Sequence, residues 1–433
     1  METKIPRRRV VVALFGMLAS ASLLQACGAP GAPASPTAAS SKSGASPTQP
    51  AAQPTAGPTT AAKPAGGIPA FSGRPVDIQI IDVAGNQQLT KPMVDNYVKA
   101  NPDKIGRVDW IKATAPELAG KIKAQQDAGK VDIALVMSGF DGMAAGVEQN
   151  LWLRLLPDFS AKFPNLEENY LEPAKAANDL AKGFGLVSVY YPSGPLLEYL
   201  PSRVPNPPTT PEALLAWGKE NPGKFIYARP ANSGPGRTLL MGLPYILGDK
   251  DPLDPVNGWQ KTWDYLKQLD EYIEYYPTGT SATMKELGDG TRWMVASTTG
   301  WDINPRALGT VPKEAKVAFF ENFKWVGDAH FMLIPKRIDD ARLAVVLDIM
   351  AWILRPDQQA YAYDAGYFYP GPAVKNVTLD MAPPESQAII KEFGRPEYEE
   401  MIAKVPVVMP LEPKAMVTAF EMWDKLVGSK VKQ

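Results

Sequence analysis

The chain has 433 residues, with 45 Lys and Arg against 46 Asp and Glu, so its formal net charge is −1. Residues 1–72 carry a net charge of +5 and the remainder carries −6, which argues against a nucleic-acid partner, because nucleic acids need a basic face. The single cysteine and single histidine exclude internal disulfides and poly-His metal sites, so we predict neither a metal nor a cofactor.

The N-terminus has the pattern of an export signal. Arg7, Arg8 and Arg9 precede a mostly apolar stretch that ends at Leu24, too short to span a bilayer, and Ala26 and Cys27 follow it. The segment Leu-Gln-Ala-Cys resembles the lipobox of bacterial lipoproteins, in which cleavage leaves a cysteine that carries a diacylglycerol. The resemblance implies a signal peptide over residues 1–26 and a lipid anchor, palmitate included, on Cys27. The domain would then face the periplasm or the extracellular side.

Residues 27–72 are almost entirely Gly, Ala, Pro, Ser, Thr and Gln after the cysteine. Such a composition buries too little apolar surface to offset the entropy lost on folding. We predict a disordered tether over 27–72 and a folded part that begins at Gly73.

The first folded stretch alternates apolar strand patterns with helical patterns. The predicted strands and helices, in chain order, are 76–81, 91–100, 107–112, 116–126 and 131–137. This alternation indicates βαβ units and a parallel sheet, in which ligands bind beyond the carboxyl ends of the strands. Asn86 and Ser138 follow or close two of these strands, so both are candidate ligand contacts.

The later stretch continues the alternation. Predicted elements are an extended segment over 186–194, a helix from 211, a strand over 224–229, a helix over 236–247, strands over 293–299 and 330–334, and a helix over 342–354. Pro211 directly after Thr210 is a typical helix start. We see no internal repeat.

Several pieces of the chain together are similar to one family. They are Val131–Gly139 (a strand ending in Ser-Gly), Tyr190–Tyr199 (a crossing strand), Pro207–Trp217 (a Pro-x-Thr-Pro-Glu helix entry), Lys224–Gly236, and Asp328–Pro335 followed by Ala341–Gln359. In this order they resemble the extracellular solute-binding lipoproteins of ABC importers with the type 2 periplasmic-binding fold. The similarity is greatest to the branch of polyamine, thiamine and ferric-iron binders.

The resemblance implies an α/β fold with two lobes, joined by crossing hinge strands, that close on a small solute. Lobe 1 would comprise 73–192 and return over 329–433, and lobe 2 would comprise 193–328. The implied partners are an ABC permease with its ATPase subunits, and the protein would act as a monomer without catalysis.

The turn Arg229–Arg237 joins a predicted strand to a helix N-terminus, which carries partial positive charge. Asn232 and Ser233 offer hydrogen-bonding side chains there, and Arg237 could pair with a carboxylate of the solute. The alternative is an ordinary turn with a solvated arginine. Tyr191, in the crossing segment, is a further candidate contact.

Trp301 and Asp302 follow the strand that ends near Thr299. An aromatic face beside a carboxylate suits a cationic amine, so a polyamine-like solute is favoured. Arg237 argues instead for an anion or a zwitterion. The alternative reading makes Trp301 a core residue and Asp302 a helix cap. Ferric-iron members place adjacent tyrosines at this position, and their absence here argues against iron.

Two other function classes are an enzyme and a solute-sensing lipoprotein. An enzyme would need a nucleophile with a base or clustered metal ligands, and the chain contains no Gly-x-Ser-x-Gly, His-Glu-x-x-His or Gly-x-x-x-x-Gly-Lys motif. A solute-sensing lipoprotein that feeds no transporter would have the same sequence features as an importer component. The sequence leaves that alternative open.

Overall fold

The computed structural model describes residues 67–429, so the predicted signal peptide, Cys27 and nearly all of the predicted tether lie outside the described residues. Ten strands are present in the described part: β1 Val76–Val83, β2 Ile105–Ala113, β3 Ile133–Gly139, β4 Gly185–Gly194, β5 Leu196–Tyr199, β6 Phe225–Ile226, β7 Met294–Ser297, β8 Lys316–Ala318, β9 Trp325–Leu333 and β10 Val407–Val408.

Fifteen α-helices connect and cover these strands within residues 67–429. They are α1 Asn86–Ala100, α2 Ala115–Asp127, α3 Phe140–Glu148, α4 Leu166–Asn169, α5 Glu172–Leu180, α6 Pro211–Glu220, α7 Gly234–Ile246, α8 Gln260–Asp270, α9 Thr280–Gly288, α10 Thr299–Ala307, α11 Asp340–Ile353, α12 Pro356–Gln359, α13 Pro384–Phe393, α14 Pro396–Lys404 and α15 Pro413–Trp423. None of the described helices is both long and apolar enough to cross a bilayer.

The first sheet has the order β10-β9-β3-β1-β2, with β4 paired to β9. β1 is parallel to β2 and β3, which confirms the predicted βαβ units. β9 runs antiparallel to both β3 and β4, so the complete sheet is mixed and not purely parallel. The reason is connectivity, since β9 enters this sheet from the other lobe and not through a crossover helix.

Both faces of the first sheet are buried. Ile80 and Ile81 are fully buried neighbours on β1, yet they belong to two different hydrophobic clusters. Successive side chains of a strand point to opposite faces, so each cluster covers one face of the sheet. A sheet covered by helices on both faces is typical of α/β proteins.

The second sheet, β6-β7-β5-β8, is smaller and forms the centre of the second lobe. The chain passes from β4 in the first sheet to β5 in the second through Pro195 alone, and it returns from β8 to β9. The crossing segment predicted over Tyr190–Tyr199 is therefore confirmed, as is the two-lobe α/β fold.

The last helix contacts both lobes. α15 packs on α3, which follows a strand of the first sheet. Trp423, at the end of α15, donates its indole N–H to the hydroxyl of Tyr227 at 3.0 Å, and Asp424 pairs with Arg229 at 2.8 Å. Both partners directly follow β6 of the second sheet, so the C-terminal segment is a connection between the lobes in addition to the hinge strands.

Candidate functional site

A cavity of about 390 Å³ lies between the two lobes. Its walls come from the carboxyl ends of β1 and β2, from the hinge strands β4 and β9, and from the first turns of α3, α7, α9 and α10. The lining residues are Ala84, Gly85, Gln88, Lys112, Ala113, Thr114, Asp141, Tyr191, Asn232, Ser233, Gly234, Arg237, Gly279, Thr280, Ser281, Trp301, Asp328, His330, Tyr367 and Phe368. The cavity is therefore located where strand ends and helix starts of both lobes meet.

A buried ion cluster forms part of the cavity wall. Arg237 donates from Nη2 to both carboxylate oxygens of Asp328 at 2.8 and 2.7 Å, and from Nη1 to Asp141 at 3.2 Å. All three side chains are at most 6% exposed. Arg237 belongs to α7, which follows β6, whereas Asp141 and Asp328 belong to α3 and β9. The guanidinium thus connects the second lobe to two carboxylates of the first.

The two carboxylates differ in the number of hydrogen bonds that they accept. Asp328 accepts four hydrogen bonds, two from Arg237, one from the hydroxyl of Tyr191 at 2.7 Å, and one from the next backbone N–H at 2.9 Å. Asp141 accepts one from Arg237 and one from the next backbone N–H at 2.8 Å. Burial raises the pKa of Asp141, and this effect exceeds the lowering by the guanidinium.

His330, the single histidine, lies on β9 two residues after Asp328 and is 1% exposed. Its ring meets Phe368 edge-on, with 4.3 Å between centroids. Burial lowers the pKa of His330 to about 4, despite the nearby Asp328 carboxylate that raises it. The imidazole is therefore neutral at physiological pH. Its Nδ1 has no hydrogen-bond partner within residues 67–429.

Four aromatic rings form another wall of the cavity. Trp301 and Tyr367 meet at 5.2 Å between centroids, Tyr367 and Phe368 at 4.4 Å, and Phe368 and Tyr191 at 4.7 Å. Gly85 has φ +76°, and a Cβ at that position would collide with the Tyr367 hydroxyl, so only glycine permits this approach. The wall offers π faces to a solute.

The first turns of α7 and α9 form a polar edge. The Ser233 hydroxyl accepts from the backbone N–H of Gly236 at 3.1 Å and lies 2.7 Å from the hydroxyl of Thr280. The Asn232 amide donates to the carbonyl of Thr278 at 2.6 Å. These bonds fix two helix N-termini beside the cavity, where their partial positive charge favours hydrogen-bond acceptors on a solute.

The structure brings five of the eight predicted contact residues together in the cavity wall: Tyr191, Asn232, Ser233, Arg237 and Trp301. Arg237 is committed to two carboxylates of the protein itself, in contrast to the predicted carboxylate of a solute. Asn86 and Ser138 are fully buried and do not line the cavity. Their side-chain polar atoms have no hydrogen-bond partner within the described chain.

Asp302 was predicted to contact the solute, but it does not line the cavity, although its neighbour Trp301 does. Its fully buried carboxylate accepts hydrogen bonds from Arg306 at 3.0 Å, from Arg395 at 2.5 and 2.6 Å, and from the hydroxyl of Tyr398 at 2.7 Å. These partners occupy both oxygens. Asp302 thus forms ion pairs in the interior, outside the cavity wall, and the N-cap of α10 is Thr298.

The cavity also contains Asp141, Lys112 and Asp328, which were not among the residues predicted from the sequence. Each had a feature in the sequence that could have identified it. Lys112 ends a predicted strand, Asp141 lies two residues after Gly139 at the end of another predicted strand, and Asp328 lies two residues before the single histidine.

Within residues 67–429, no group of three or more His, Cys, Asp or Glu side chains is placed to hold a metal ion.

A larger groove of about 780 Å³ lies elsewhere, between the α7–α8 loop and the start of α15. Leu253 and Val256 at its edge are 60% and 57% exposed, and of its charged lining residues Glu412 and Lys414 are exposed to solvent and Asp254 is half-buried. Of these two pockets, the smaller cavity is the better candidate for the functional site, because buried charged and aromatic side chains converge in it and not in the groove.

A sequence profile of the bacterial extracellular solute-binding protein family matches residues 92–391. Among curated proteins, protein YnjB of Escherichia coli strain K12 is 29% identical over 168 residues, which is 36% of this chain. That match spans 42% of the length of YnjB.

Solved structures share the fold at low sequence identity. A putative spermidine/putrescine ABC transporter protein from Listeria monocytogenes has a TM-score of 0.56 at 15% identity, covering 82% of this chain and 99% of its own. AfuA from Actinobacillus pleuropneumoniae, with bound fructose-6-phosphate, has a TM-score of 0.59 at 12% identity, and the match covers 81% of this chain and 98% of AfuA. The apo ferric ion-binding protein A of Pasteurella haemolytica has a TM-score of 0.56 at 14% identity, and the match covers 82% of this chain and 99% of that protein.

Proposed function

The chain belongs to the bacterial extracellular solute-binding proteins, and from this premise we propose that it is the solute-binding component of an ABC importer. It would capture a small solute between its lobes and deliver it to a membrane permease driven by ATPase subunits. The similar structures are solute-binding proteins of transporters and not enzymes, and one of them is described as part of a spermidine/putrescine transporter. This likeness supports the proposal.

One observation carries it, namely the ion cluster of Arg237, Asp141 and Asp328 at the cavity. Both lobes contribute to this cluster and its charges lie at the cavity wall, whereas the buried ion pairs of Asp302 lie away from the cavity. The cluster joins the two lobes at the point where a solute would contact both. A solute held there would stabilise the closed arrangement, because it contacts the two lobes at once.

The size of the cavity limits the solute. Its volume of about 390 Å³ lies towards the lower end of the usual range for small-molecule sites, about 300–1,000 Å³. This favours a compact compound over an oligosaccharide or a peptide.

We propose the solute class that the sequence favours, a cationic amine or polyamine-like compound, but with a different residue as its carboxylate contact. Asp141, and not Asp302, would supply the carboxylate, and Trp301 with Tyr367 would supply the aromatic faces. A cation over such a ring gains about 0.5–2 kcal/mol, depending on desolvation.

Solute binding should reduce the radius of gyration measured by small-angle X-ray scattering, since the lobes close around the cavity. The solute would come from a thermal-shift screen of amines, guanidines, quaternary ammonium compounds, sugars, sugar phosphates and oxyanions. A compound from the same screen that gives no thermal shift is the control. Identical profiles with and without a solute proven to bind would contradict closure.

We also propose the membrane attachment and the boundaries inferred from the sequence. Residues 1–26 would be removed as a signal peptide, 27–72 would be the tether, and the lobes would comprise 73–192 with 329–433 and 193–328. The protein would be a monomer held at the outer side of a membrane of the cell envelope.

Replacing Cys27 by serine should abolish lipid labelling and release the protein from the membrane fraction, because the thiol that accepts the lipid is gone. Metabolic labelling with palmitate and fractionation of the cells measure both effects. Serine at neighbouring Gly28 is the matched control and should remain labelled. Labelling that persists in the Cys27→Ser variant would refute the anchor.

A further inference from the structure

Four charged side chains line the cavity, namely Lys112, Asp141, Arg237 and Asp328, and Asp82 lies with Lys112 in the adjoining pocket. The buried cluster carries one net negative charge when its members are ionised, because Asp141 and Asp328 share the single guanidinium of Arg237. The negative charge is not spread evenly over these groups. Asp82 is attracted by Lys112, and Asp328 holds the guanidinium of Arg237 with two short hydrogen bonds.

Asp141 is therefore the carboxylate with the weakest compensation. Its bond to Arg237, at 3.2 Å, is longer than either bond from Arg237 to Asp328. A carboxylate can accept about four hydrogen bonds. Asp328 accepts that number, whereas Asp141 accepts two from the described residues. Asp141 thus has both unmatched charge and unused acceptor capacity on the cavity wall.

We infer that the solute presents to Asp141 one singly charged group that bears N–H donors: a primary ammonium, an amidinium or a guanidinium. The inference rests on the proposed function and specifies the chemistry of the same site. A quaternary ammonium would match the charge but has no N–H to donate. A divalent cation would need several ligating side chains, and no such group exists within residues 67–429. The rest of the solute would lie along Trp301 and Tyr367.

The groups around Asp141 determine how this recognition depends on pH. Arg237 faces it from α7, while Asp328 and the neutral His330 face it from β9. Because burial raises the pKa of Asp141, a cation should bind more tightly as the pH rises and this carboxyl ionises. His330 does not oppose this trend, since its pKa of about 4 keeps it neutral.

The test uses the full chain and four probes that differ only in the head group: butylguanidinium, butylammonium, butyltrimethylammonium and butyrate. Calorimetry should give at least tenfold tighter binding for each of the first two than for the trimethylated probe, and no binding of butyrate. Asp141→Asn should weaken butylguanidinium binding roughly ten- to hundredfold, because a charge-assisted hydrogen bond is lost. Asp127→Asn, at an exposed ion pair on α2, is the matched control and should not change the affinity.

The outcomes separate this inference from the proposed function. Equal or tighter binding of the trimethylated probe, tightest binding of butyrate, or no binding of either N–H cation overturns the inference. If a sugar phosphate or another solute then closes the lobes in the scattering experiment, the proposed function stands without it. If nothing in the screen closes the lobes, the proposed function fails as well. Unchanged affinity for butylguanidinium in a folded Asp141→Asn variant overturns it too, and where that variant does not fold, the order of the four probes on the unmodified chain still decides which head group is bound.

Discussion

Replacing Asp302 by asparagine should lower the free energy of unfolding by about 3–5 kcal/mol, the usual cost of removing one partner from a buried ion pair. The side chain is fully buried and accepts hydrogen bonds from Arg306, Arg395 and Tyr398. Without the carboxylate, two guanidinium groups remain in the interior with less counter charge. The folded protein should keep its affinity for the solute, because Asp302 does not reach the cavity.

Urea denaturation followed by circular dichroism measures the loss of stability, and calorimetry at low temperature measures affinity in the folded variant. Asp264→Asn is the matched control, since Asp264 is an exposed aspartate on α8 and should cost less than about 1 kcal/mol. An affinity lost in Asp302→Asn without any loss of stability would restore Asp302 as a ligand contact.

As the pH rises from about 5 to 8, the protein should lose stability relative to its Glu198→Gln variant. Glu198 on β5 is fully buried, and one oxygen accepts from the hydroxyl of Ser297 at 2.8 Å while the other has no partner within the described residues. Burial, and then the charge of Asp302, raise the pKa of Glu198 from 4.5 to about 8. The nearby Arg306 and Arg395 lower it less.

The direction follows from proton binding. Between these two pKa values the folded state keeps a proton on Glu198 that the unfolded state has released, so unfolding becomes easier by about 1.4 kcal/mol per pH unit for one proton. Glutamine is neutral at every pH and lacks this dependence. Urea denaturation of both proteins at several pH values measures the difference. Parallel stability curves would mean that Glu198 is ionised in the folded protein.

Helix α3 shows why part of the fold escaped prediction from sequence. Its segment contains Gly142 and Gly146, which disfavour a helix in isolation. In the fold, a Cβ on Gly146 would collide with the ring of Trp152, and a Cβ on Gly142 would collide with Ser138. The glycines are there for close packing against residues that local propensity does not take into account.

The sequence by itself determined the α/β class and the crossing of the chain between two lobes, and five of its eight candidate contact residues line the cavity. These features depend on local periodicity, on strand ends and on helix starts, which neighbouring residues encode. The predicted parallel order held for β1, β2 and β3 for the same reason. It did not extend to β9, whose partners are set by the return from the second lobe.

Only the tertiary structure decided which acidic side chains line the cavity. Trp301 and Asp302 are adjacent in sequence, but consecutive residues of a helix point about 100° apart, so α10 directs one to the cavity and the other into the interior. Asp302 has one local partner, Arg306, four residues later on the same helix, but Arg395 and Tyr398 follow it by more than ninety residues. Likewise Asp141 and Asp328 share Arg237 across separations of 96 and 91 residues. These distant pairings depend on positions in space, so no local pattern in the chain could specify them.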